Sequence, residues 1–183
     1  MTFSAQLPTG ATRSAFAVAP AARAAGSCDT RSIAYQSVIE ELRGKTDATR
    51  TTLRLDTPGQ VFPVVAEALG PGVRSIAGDS SIDLRAAATF KYLDTEQRNL
   101  VQEDCSAGDF PAPPELIEFY GVKAQMLAPL VRDGQLIGII SVHYAPSTRE
   151  WTEDDVAALD DAARRVSDEL AAGGSQGGTE PDS

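Results

Sequence analysis

Two apolar runs flanking Asp133-Gly134 dominate the hydrophobic pattern, in the stretch Gly121 to Tyr144, GVKAQMLAPLVRDGQLIGIISVHY. The dipeptide suits a tight turn in which both central residues take positive φ, so the stretch reads as a long β-hairpin at the centre of a sheet. With Asp133 and Gly134 as the loop, Arg132 pairs with Gln135, Leu130 with Ile137, Ala128 with Ile139, Met126 with Ser141 and Ala124 with His143. Alternation then sorts Gln125, Leu127, Pro129, Val131, Leu136, Gly138, Ile140 and Val142 onto a core face, where Gly138 leaves room for a helix. The other face carries Ala124, Met126, Ala128, Leu130, Ile137, Ile139, Ser141 and His143, small or flexible near one end and polar at its edge, which suits a cavity. Ser141 and His143 fit equally well as satisfied polar residues at a strand end.

Around this hairpin the pattern changes period. Asp29 to Arg43 places Tyr35, Val38, Ile39 and Leu42 on one helical stripe, with Asp29 or Thr30 as cap and Gly44 as stop. Ala48 to Asp56 alternates Leu53 and Leu55 with Arg50, Thr52 and Arg54, a strand with one face buried. Arg54 is either a solvated arginine near a strand end or, if its face is the cavity's, a bidentate partner for a carboxylate or phosphate. Pro58-Gly59 turns the chain into a second strand, Phe62 to Leu69, and Val73 to Ala77 reads as a short strand. Ser80 or Ser81 then caps a helix running through Leu84 to about Leu93. A strand at Asn99 to Glu103, a proline-rich loop over Phe110 to Pro114 and a short helix from Glu115 to Tyr120 lead into the hairpin. The last helix is signposted by Thr152 with Asp155 three residues on, and by Trp151 placed to staple Val156. Its Val156, Leu159, Ala163, Val166 and Leu170 form a narrow seam that suits either a dimer contact or cover for the sheet.

Length and a 42% hydrophobic composition accommodate one domain of roughly 140 residues, here 28–170, with a full core. Residues 1–27, alanine-rich with Pro8 and Pro20 and no acidic residue, read as a flexible arm, and 171–183 as a disordered tail. A lipoprotein signal ending at Cys28 is the alternative for the arm, but Pro20 and Arg23 interrupt the apolar segment it requires. A net charge of −10 argues against a phosphate-backbone partner, and Lys123, Arg132 and Asp133 break the most apolar region well short of a membrane span. Cys28 and Cys105 make no disulfide framework, so a cytoplasmic location is expected, and a single histidine argues against a metal site.

Taken together, the element order, the run Gly121-Val122, Met126-Leu127-Ala128-Pro129-Leu130, Asp133 to Gly138, and the following Trp151-Thr152-Glu153-Asp154-Asp155 resemble the GAF domain family. The resemblance spans roughly Asp29 to Leu170. It implies an α+β sandwich: a central five- or six-stranded antiparallel sheet, terminal helices on one face, and a small-molecule pocket on the other. The segment from Ser80 to Tyr120 would roof the pocket. The Asn-Lys-Phe-Asp-Glu signature of cyclic-nucleotide-binding members has no counterpart. Cys105 is followed by Ser106 rather than the histidine usual at a bilin attachment site, and His143 is the sole histidine for haem, so neither bilin nor haem is expected. A free methionine sulfoxide reductase would need a thiolate and a resolving thiol; Asp104 and Glu103 disfavour the first at Cys105, and Cys28 lies beside the arm. The resemblance therefore implies a non-catalytic sensor of a small organic ligand, with a cysteine-dependent free methionine sulfoxide reductase and a structural adaptor as the alternatives. Leu84, Phe90, Phe119 and Met126 are the apolar candidates for its pocket, and Arg54, Cys105, Ser141 and His143 the polar ones. With no output domain in the sequence, signalling is expected through a partner protein or a homodimer formed by the helices Asp29-Arg43 and Thr152-Leu170.

Overall fold

The computed structural model describes residues 25–78, 82 and 84–174. Residues 1–24 of the expected arm, Ser80 and Ser81, expected as helix caps, and the tail beyond residue 174 lie outside the described residues. The elements are α1 (Ala25–Thr46), β1 (Arg50–Leu55), β2 (Val64–Leu69), α2 (Ala88–Glu96), β3 (Leu100–Gln102), α3 (Pro114–Glu118), β4 (Ala124–Arg132), β5 (Gln135–Tyr144) and α4 (Glu153–Gly174). Among the described residues, five strands form one antiparallel sheet in the order β2-β1-β5-β4-β3, with β5 in the middle. No described helix is long and apolar enough to cross a membrane.

The hairpin turn forms as its sequence demands: Asp133 and Gly134 sit at φ 51° and 74°, and Arg132 pairs with Gln135. Past the next pair the register departs from the expected one. Val131 pairs with Leu136 but Leu130 pairs with Gly138, leaving Ile137 as the extra residue of a β-bulge. From there Ala128 faces Ile140, Met126 faces Val142 and Ala124 faces Tyr144. A slip of one residue turns every β4 side chain to the face opposite the expected one. Met126, Ala128 and Leu130 join the helix-side core, and Gln125 and Leu127 turn to the roofed face. Gly138 does make room, but for neighbouring strands: an added Cβ would lie 2.8 Å from the Arg54 carbonyl and 2.9 Å from Leu130 Cδ1.

Two separate hydrophobic clusters result. On one face α1 and α4 cover the sheet, with Tyr35, Val38, Ile39 and Leu42 of the first and Leu159, Ala162 and Val166 of the second buried against Leu53, Met126 and Ile140. The seam of α4 is thus spent within the chain, covering the sheet and α1. The opposite face is covered by Phe62 of the β1–β2 connection and by the chain between β2 and β4, in a second cluster around Phe62, Ile76, Phe90, Leu93 and Leu116.

Several boundaries differ for local reasons. α1 runs through Gly44 and stops where Asp47 takes φ 46° and the Ala48 N–H closes onto the Arg43 carbonyl, while Asp29 and Thr30 lie inside it. α2 starts only at Ala88, with Leu84 in the turn before it. The stretch from Val73 to Ala77 is irregular rather than a strand, tied down where the Ile76 N–H donates to Glu67 Oε1.

Candidate functional site

The sheet face beneath the roof is polar at one end. β1 presents Arg50, Thr52 and Arg54 to it, which alternation alone reads as a solvated edge, yet the three are 1%, 0% and 7% exposed. Arg50 pairs with His143, His143 with Gln125, and Gln125 with Gln102, so one row of polar residues crosses four strands. Arg50 is held by Glu67 at 3.4 Å, by the Arg74 carbonyl and by the face of Tyr120 at 5.1 Å, and burial pulls its pKa down. Arg54 Nη1 donates to the Phe62 carbonyl at 2.9 Å.

The glutamine pair is oriented from its outer end. Gln102 Nε2 donates to the Phe110 carbonyl (2.7 Å), which leaves Gln102 Oε1 to accept from Gln125 Nε2 (2.6 Å). Gln125 Oε1 is then a buried acceptor with no hydrogen-bond partner. His143 Nδ1 is also buried and unpartnered, as is Thr52 Oγ1, opposite Ser141 in the sheet. Burial first, then Arg50 and Arg54, push the His143 pKa down to about 3, so the imidazole is neutral at physiological pH.

Gln125 and His143 line a cavity of about 30 Å³ between sheet and roof. Arg54, Thr89, Gln125, Ser141 and His143 are its polar lining, and Ile76, Ile82, Leu84, Phe90, Leu93, Leu116, Leu127 and Ile139 its apolar walls. The volume is far below the roughly 300–1,000 Å³ that encloses a drug-sized molecule, so a larger guest must displace the roof.

Of the residues the sequence nominates, Arg54, Leu84, Phe90, Ser141 and His143 line this cavity. Three do not. Met126 is buried among the helix-side residues because of the bulge, Phe119 is 62% exposed, and Cys105 is sealed in the roof-side cluster. Burial, with Asp104 beside it, pushes the Cys105 thiol up to about 12, which keeps it protonated. Gln125 and Leu127 also line the cavity, on the face opposite the one that alternation from the turn predicts. No pattern in the chain announces the bulge that turns them inward.

Comparison with known proteins bears on this arrangement. The family model described as "GAF domain" matches residues 31–170. The chain belongs to the GAF domain family. A search of curated proteins found none that matches it. Among solved structures, the GAF fold is shared with the blue-light-absorbing form of the PixJ GAF domain of Thermosynechococcus elongatus. Identity is 20%, covering 80% of this chain and 86% of that one, with a TM-score of 0.64. The phycocyanobilin-bound GAF domain of a cyanobacterial phytochrome superposes at a TM-score of 0.67 with 16% identity, covering 85% and 93%. The chromophore-binding domain of an R. palustris bacteriophytochrome gives 0.63 and 18%, covering 78% and 56%.

These matches correct one expectation. Setting bilin aside on the residue after Cys105 does not stand, because GAF domains that share this fold include a phycocyanobilin-bound one. Cys105 lies outside the lining of this cavity.

Proposed function

We propose that this GAF domain is a non-catalytic sensor: it takes a small organic molecule between sheet and roof and passes occupancy to a partner protein or to a second copy of itself. The observation that carries this reading is the pair of buried, unpartnered polar atoms, His143 Nδ1 and Gln125 Oε1, at the end of an apolar-walled cavity. A buried polar atom without a partner costs about 1–3 kcal/mol, and a ligand that satisfies it recovers that energy. The protonated, sealed Cys105 supports the non-catalytic side of the reading, since thiol chemistry begins with an exposed thiolate.

Thermal-shift screening of the full chain against a metabolite library that includes linear tetrapyrroles tests it. A ligand at a hundred times its Kd adds about 2.7 kcal/mol and raises the Tm by several degrees. A tetrapyrrole hit also reports itself as visible absorbance. A library without a single hit that His143→Phe abolishes would instead favour a structural adaptor.

A further inference from the structure

We propose that the cavity recognises an uncharged ligand through an amide-type edge, whose N–H donates to Gln125 Oε1 and whose carbonyl accepts from the His143 imidazole. The proposal rests on the sensor reading above and gives it a ligand chemistry.

Gln125 and His143 are direct cross-strand partners on the roofed face, 0% and 2% exposed, and both line the cavity. Side chains paired in this way start about 5 Å apart at Cβ, close enough to meet the two ends of one small polar group. The unpartnered atom of Gln125 is its acceptor Oε1, held in that orientation because one N–H of its amide donates to Gln102, whose own amide donates to the Phe110 carbonyl. The ligand must therefore bring a donor. A carboxylate brings none: Arg54 in the lining would attract it, but it would leave Gln125 Oε1 unpartnered. A cation would sit beside the buried Arg50 and Arg54 on the same sheet face. A neutral imidazole carries one N–H and one lone pair, which matches a carbonyl next to the donated N–H. The free volume admits such an edge, while the rest of the molecule meets Leu84, Phe90 and Ile139.

The test uses the isotope-labelled full chain and three probes followed by NMR at the Gln125 side-chain amide and the His143 ring. They are 2-pyrrolidinone, which has N–H and C=O, N-methyl-2-pyrrolidinone, which lacks the N–H, and acetate, an acceptor-only anion. The expected result is that 2-pyrrolidinone shifts both signals with a Kd at least tenfold below the other two, and that Gln125→Met removes the preference. The wild-type comparison stands even if that variant fails to fold. Equal or tighter binding of the N-methyl compound or of acetate at these residues overturns the edge assignment and leaves the sensor reading in place. The assignment also falls alone if none of the three perturbs them while compounds from the metabolite library do. Silence from every compound overturns both.

Discussion

A neutral imidazole walled in beside two guanidinium groups makes His143 the residue on which acid stability turns. Its folded pKa of about 3 lies below the unfolded value of 6.5, so between those pH values the unfolded chain binds the extra proton. Stability is therefore full above pH 6.5 and drains as pH falls through that window, by at most about 1.4 kcal/mol per pH unit for this one group. Urea denaturation at pH 7, 5 and 4 should show a steep decline for the wild type and a shallower one for His143→Gln; parallel declines would mean that other groups set the acid limb. Little of this was visible in the sequence. Arg50, Thr52 and Arg54 have the alternation of a strand with one wet face, and alternation cannot distinguish water from a roof contributed by residues twenty or more positions away. The lone histidine was legible as a candidate only because its strand was.

At the scale of the element, the hairpin shows how much one residue decides. Asp133-Gly134 announces the turn because a type I′ loop needs two positive φ angles, and the strands on either side follow from their β-branched and apolar runs. The bulge at Ile137 has no comparable signature. Alternation counted from the turn therefore matches the faces of β5 beyond Gly138 and reverses those of β4, which hides Gln125 on the helix side and puts Met126 in the cavity in error. Gly138 is the tightest point of this arrangement, since one of the atoms facing it is the Arg54 backbone carbonyl, which cannot rotate away. Gly138→Ala should destabilise the domain by about 1–3 kcal/mol in chemical denaturation, the usual range for overpacking. A change below about 0.5 kcal/mol would show that the bulge absorbs the methyl group by shifting register.

Across the whole molecule, Arg149 ties together segments far apart in sequence. It donates to the Thr46 carbonyl at the end of α1, grips both Asp155 oxygens at 3.1 Å, and stacks on Tyr144 and Trp151. Asp155 in turn closes the α4 capping box with Thr152, and the Trp151 indole donates to the Gln102 carbonyl of β3. Arg149→Ala should cost about 2–3 kcal/mol, and Arg149→Lys should restore less than half of it, because an ammonium cannot reproduce the planar fork. Folding equilibria followed by the single tryptophan would measure both; a near-neutral alanine variant would show that the capping box alone fixes α4. The box was legible because it is local in sequence. The arginine was not, because its partners lie as much as 103 residues away.

The sheet also acts as a partition. Because the apolar residues on its two sides form separate clusters, prising the roof away disturbs one layer and leaves the helix-backed layer to keep the domain folded. Such a protein can admit a guest larger than its resting void without melting.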